Sequence, residues 1–243
     1  MSRPMFGLAN PQRFMTATRY LPAVFGVLCV LLFAAGIWTS FTAPEDYQQG
    51  DTVRIMFVHV PAAWMGLFVY AALGGASFFA LVFRHLLADA AARAAAPLGA
   101  AFTFLALVTG AFWGRPMWGA WWVWDARLTS VLVLFLFYLG YMALRASIDD
   151  ETKAGRAASV LALAGLINLP IVKFSVDWWN TLHQPTSVLR LDGPTITADL
   201  LTPLLLMGAA YTFFFLALWV VAIRAEINAR RAAALALKAA GSA

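Results

Sequence analysis

Cysteine is almost missing from this chain. Its 243 residues include one, Cys29, inside the first apolar run. That excludes a disulfide framework, a thiolate metal cluster and a Cys-x-x-Cys-His attachment of haem to the chain itself. Charge is scarce as well: Asp, Glu, Lys and Arg make up 12% of residues, against about a quarter in an ordinary soluble domain. No Gly-x-x-x-x-Gly-Lys stretch occurs, so nucleotide hydrolysis has no phosphate-binding loop to use. Histidine is rare too, with three in all.

Apolar residues take the place of all these, at 62% of the chain. They gather in six runs at about 21–38, 55–83, 95–113, 128–144, 157–172 and 200–223, which read as membrane-spanning helices. The expectation is an all-α integral membrane protein, one six-helix domain over 1–243. The first run is too long for the h-region of a signal peptide and is read as an uncleaved span. Six spans put both termini on one side. That side carries 12 of the basic residues and the other carries five: Arg54, Arg115, Arg127, Lys173 and Arg190. By the positive-inside rule the termini are cytoplasmic. The net charge of +5 is thus a topology signal, and the chain meets membrane lipid and not nucleic acid.

The densest feature is Arg115-Pro116-Met117-Trp118-Gly119-Ala120-Trp121-Trp122-Val123-Trp124-Asp125-Ala126-Arg127, with four tryptophans in seven residues. If Trp118 to Asp125 were helical, at about 100° per residue, Trp118, Trp121, Trp122 and Asp125 would share one face. Only Trp124 would point elsewhere. Such a platform has two readings from spacing alone: an interfacial aromatic belt, or a flat wall for a ligand. Segment 113–127 is expected to be a loop on the outer, non-cytoplasmic face, with Asp125 as the N-cap of the fourth span.

The same topology places His59 and His183 on that face, 124 positions apart, while His85 lies alone on the other. Two nitrogen donors beside a flat apolar wall suit haem, a planar macrocycle whose iron accepts axial imidazoles. Arg115 and Arg127 bracket the stretch as candidate donors to propionates. Each residue also has a plainer reading. His59 can be a helix-end residue, His183 a loop cap, and the arginines head-group anchors. Zinc fits poorly, because no carboxylate or thiol stands at ligand spacing beside either histidine.

Trp118-Gly119-x-x-Trp122-x-Trp124-Asp125, continued by Ala126-Arg127-Leu128-Thr129-Ser130, resembles the tryptophan-rich WWD signature of haem-handling membrane proteins of cytochrome c biogenesis. Size, six spans and the histidine pair are similar to the cytochrome c maturation protein C (CcmC, haem exporter protein C) family, over nearly the whole chain from Tyr20 to Ile223. The resemblance implies a non-enzymatic role. Haem, held non-covalently as a b-type group on the periplasmic face of the bacterial inner membrane, would pass to the haem chaperone CcmE. It also implies the ABC transporter subunits CcmA and CcmB and the small membrane protein CcmD as partners. His59 and His183 match the family's axial ligands to haem iron. Trp118, Gly119, Trp121, Trp122, Trp124 and Asp125 fall in the haem-binding signature.

Three rival classes remain to be weighed. A membrane b-type redox protein needs a second haem to carry an electron across about 30 Å of hydrocarbon, and three histidines do not suffice for two bis-histidine sites. A haem-conducting transporter subunit would mark its path with intramembrane ionisable residues, and the middles of the first, third, fourth and sixth spans hold none. A purely structural partner would use the small-residue face of the second span, Ala71, Ala72, Gly75 and Ala76.

Overall fold

The computed structural model describes residues 10–185, 187–188 and 190–241. A short helix α1 (Pro11–Ala17) starts at Asn10, whose side chain accepts from the backbone N–H of Gln12 and Arg13. It is followed by α2 (Leu21–Thr42), a short 3₁₀ turn (Asp51–Ile55), α3 (Met56–Phe83), α4 (Leu86–Trp118) and α5 (Ala126–Ser147). The fifth crossing is made of two pieces, α6 (Glu151–Gly165) and α7 (Asn168–Trp178), and α8 (Ala198–Gly241) ends the described chain. Six helical segments are long and apolar enough to cross a membrane. Among the described residues the only β pairing is an isolated bridge between Asp46 and Gly50.

The helices outrun the apolar runs that signal them. α4 begins at Leu86 and not near 95, and it reaches Trp118, so the first part of 113–127 is helix and not loop. α8 continues through the Ala-rich tail to Gly241. Hydropathy marks what lipid tolerates, whereas Ala, Leu, Arg and Lys stay helical wherever the backbone can keep its bonds.

α3 packs against α4, α6 and α8, and α2 lies along α8. Close approach is built from small residues facing large ones. A Cβ at Gly66 would stand 2.8 Å from Thr103 Oγ1, and one at Gly99 would run into the Tyr138 ring. The Tyr138 hydroxyl donates to Gly66 O at 2.8 Å, tying α5 to α3 inside the bundle. Tyr70, Tyr138, Leu73, Leu134, Leu204 and Phe215 are fully buried around it.

At one end of the bundle an ionic cluster joins four helices. Asp89 on α4 takes Arg145 of α5 at 2.7 Å and Arg230 of α8 at 2.6 Å. Arg145 also meets Glu151 at the start of α6, and Arg93 meets Glu226. The other end carries the start of α3, the end of α4, the start of α5 and the end of α7. The break between α6 and α7 is braced by Asn168, whose Nδ2 donates to Ser130 O at 2.9 Å. An amide inside a membrane bundle is satisfied in this way by a neighbouring helix.

Candidate functional site

His59 lies one turn into α3 and faces α4. Its Nδ1 is 3.1 Å from Thr109 Oγ1, and its ring meets Trp113 edge-on at 5.6 Å. Thr109, Gly110 and Trp113 form one patch of α4, at helical positions i, i+1 and i+4. Glycine is needed there: a Cβ at position 110 would stand 2.9 Å from His59 Cε1. Trp113 is itself fixed, donating Nε1–H to Gln49 Oε1 at 2.9 Å.

His183 arrives from the segment after α7. Its Nδ1 is 3.2 Å from Gln184 O. Its ring centre is 6.5 Å from that of His59, with 34° between the planes, and 6.2 Å from Trp118. Burial, and then the nearby charge of Arg127, hold its imidazole below the usual histidine range. The ring is therefore neutral at neutral pH and keeps a lone pair to offer.

The spacing suits two ligands on one iron. Two iron–nitrogen bonds of about 2 Å, with the ring centres lying roughly another ångström beyond each nitrogen, put axial imidazole centres about 6 Å apart. Both Nδ1 atoms face oxygen, which leaves both Nε2 atoms for a metal.

The tryptophan-rich stretch is not the helix that its spacing suggests. α4 stops at Trp118, because Gly119 takes φ +74° in the left-handed region. The Gly119 N–H bonds Arg115 O at 3.1 Å, and Arg115 Nη1 donates to Gly119 O at 2.6 Å. Residues 120–125 then run without helix to α5, so the shared arc of Trp118, Trp121, Trp122 and Asp125 does not form. Trp118 turns to His183. Trp121, about half exposed, packs edge-on against Phe112. Trp122 and the exposed Trp124 pack against each other at 5.5 Å.

Asp125 caps α5 as expected, its Oδ1 accepting the Leu128 N–H at 2.8 Å. Its Oδ2 and the Nε1–H of Trp122 are buried without a hydrogen-bond partner among the described residues. Arg127 is committed within the fold: Nε donates to Ser175 Oγ at 2.7 Å and Nη2 to Lys173 O at 3.3 Å, both on α7. Arg115 is exposed, and among the described residues its side chain bonds Gly119 O.

Thr109, Gly110 and Trp113 escaped the sequence reading. They look like ordinary members of an apolar span, and only the phase of α4 against α3 brings them to His59. The available hint was a threonine and a glycine side by side in the half of the span nearest the tryptophans.

The model of the family described as "Heme exporter protein C" matches residues 5–238. A "Heme exporter protein C" of Bradyrhizobium diazoefficiens is 57% identical over 231 residues, covering 95% of this chain and 88% of its own. The protein of that name from Escherichia coli K12 is 49% identical over 185 residues, 76% of each chain. The chain belongs to the heme exporter protein C family. Similarity within that family extends to a "Putative cytochrome c biosynthesis ccmC-like mitochondrial protein" of Marchantia polymorpha, 47% identical over 211 residues, 86% of this chain and 88% of its own. The heme exporter protein C family comprises multi-pass membrane components of transport and maturation, and not enzymes.

Proposed function

We propose that this chain holds haem between His59 and His183 on the periplasmic face of the bacterial inner membrane and hands it to the haem chaperone CcmE. Family membership places the chain in haem export and cytochrome c maturation. The observation that carries the finer reading is the imidazole pair, 6.5 Å apart and drawn from regions of the chain far apart in sequence. The haem is b-type and non-covalent, since the chain has no Cys-x-x-Cys-His to bind it. The periplasmic assignment rests on the 12-to-five basic asymmetry.

The residues fit this cargo in three ways. With each Nδ1 set against an oxygen, both imidazoles keep Nε2 for the iron. Trp118 beside His183 and Trp113 beside His59 supply aromatic faces for a macrocycle. The Trp122 N–H, buried with no partner among the described residues, is a donor that a polar edge of the cargo can satisfy. Gly119, Trp121, Trp124 and Asp125 shape the segment around these contacts. Of the two bracketing arginines, Arg115 keeps most of its guanidinium free for a propionate, while Arg127 holds α5 to α7.

The two ligands are unequally held. His59 is wedged on a helix by Thr109, Gly110 and Trp113, whereas His183 rides on a loop. His183 would therefore be the first ligand to give way when the chaperone takes the haem, and His59 the one that the fold holds longest. CcmA and CcmB supply the energy that this chain has no nucleotide motif to harvest, and CcmD completes the assembly. The transporter acts by binding the loaded and released states unequally.

The test is transfer. Haem-loaded protein in lipid nanodiscs, mixed with apo-CcmE, is expected to lose its haem to the chaperone. A His59→Ala/His183→Ala double variant should load none. Equal loading of CcmE by the double variant would sink the proposal.

A further inference from the structure

We infer that Thr109 is a positioning residue for His59: its hydroxyl accepts the Nδ1 hydrogen and holds the imidazole in the tautomer whose Nε2 lone pair is open. The inference rests on the reading of His59 as an iron ligand and adds how α4 prepares it.

The hydrogen-bond directions follow from the oxygens. Thr109 Oγ1 lies 2.7 Å from Leu105 O. A carbonyl cannot donate, so the one hydroxyl hydrogen is spent on it. What Thr109 offers His59, 3.1 Å away, is a lone pair, and Nδ1 must carry the proton. Neutral imidazole has one N–H and one acceptor nitrogen, so Nε2 is left bare. A free histidine side chain favours the opposite form, with the proton on Nε2, and the fold has to overturn that preference.

Two neighbours make the arrangement stiff. Gly110 leaves the space that the ring occupies, since a Cβ there would press on Cε1 at 2.9 Å. Trp113, from the same patch of α4, meets the ring edge-on. His183 reaches the same tautomer by another route, because Gln184 O, 3.2 Å from its Nδ1, can only accept. One histidine is set by a side chain of a packed helix, the other by the adjoining backbone. Metal-bound histidines commonly donate their second N–H in this way, and loss of the partner lowers metal affinity by about 10–100-fold. The plain alternative is that the Ala106 carbonyl, which also takes a hydrogen bond from His59, sets the tautomer, while Thr109 only bonds back to its own helix, as threonines in membrane helices often do.

The experiment uses the full chain with 15N-labelled histidine in lipid nanodiscs, first without haem. His59 is assigned by its disappearance in His59→Ala. In the wild type its Nδ1 should resonate as protonated and its Nε2 as unprotonated nitrogen. Thr109→Val, of equal size and without the hydroxyl, should shift His59 towards the Nε2–H form, and Thr109→Ser should restore the wild-type pattern. If Thr109→Val does not yield folded protein, Thr109→Ala replaces it. An unchanged 15N pattern in the hydroxyl-free variant overturns the inference.

Haem is then added. Thr109→Val should bind it about tenfold more weakly, at the low end of that range, with six-coordinate spectra retained and Thr109→Ser close to wild type. Equal affinity of Thr109→Val and wild type also overturns the inference. The two failures are distinguishable. If His59→Ala leaves the haem spectrum unchanged, the reading of His59 as a ligand falls, while the haem-free tautomer result still reports on Thr109.

Discussion

Arg127 at the start of α5 gives its Nε hydrogen to Ser175 Oγ of α7, 2.7 Å away and 48 residues on. That bond fastens the second half of the broken fifth crossing just upstream of the loop that carries His183. Replacing Arg127 by Ala should free α7 and let His183 drift from His59. A hydrogen bond to a charged group contributes about 1.5–3 kcal/mol, so thermal unfolding should fall accordingly, and bound haem should lose six-coordinate character. Ser175→Ala should give a smaller change of the same kind. A weakened haem affinity with the six-coordinate spectrum intact would mean that Arg127 serves the propionates instead.

Gly119 sits at φ +74° with open space where a Cβ would be. Only backbone conformation therefore opposes a side chain there. Gly119→Ala should cost about 1–2 kcal/mol and loosen the turn that ends α4 at Trp118. The check is haem retention and melting temperature, with Gly119→Asn, better tolerated in the left-handed region, lying between Ala and wild type. Indistinguishable Ala and Asn variants would contradict this.

The ionic cluster at the opposite end provides a control. The Arg145 side chain is 4% exposed and bridges Asp89 and Glu151. Removing one partner of a buried pair costs about 3–5 kcal/mol, so Arg145→Ala should unfold markedly more readily. At temperatures where it is folded, its haem spectrum should match the wild type. A changed spectrum would mean that the two ends of the bundle are coupled.

The distribution of basic residues predicts which end of the bundle faces outward. Reporter fusions after Trp118 and after Arg145 should read as periplasmic and cytoplasmic respectively. The reverse order would place the histidine pair on the wrong face for a periplasmic chaperone.

The six-helix frame was legible because lipid admits little besides long apolar helices. The tryptophan stretch departs from its helical spacing for a local reason. Gly119 directly after Trp118, with Arg115 one turn before it, is a helix-stop signal. The histidines stood out as rare residues at matching depth in the topology. Thr109, Gly110 and Trp113 did not, because which face of α4 meets α3 depends on packing far along the chain. The same holds for Arg127, whose partner Ser175 belongs to another helix.

The pairing of His59 with His183 is tested most directly by the absorption spectrum of haem bound to the purified protein. The wild type should show a six-coordinate, low-spin spectrum. His59→Ala and His183→Ala should each convert it to a five-coordinate or water-ligated one, and added imidazole should partly restore the original by filling the vacated position. An unchanged spectrum in either single variant would contradict the account.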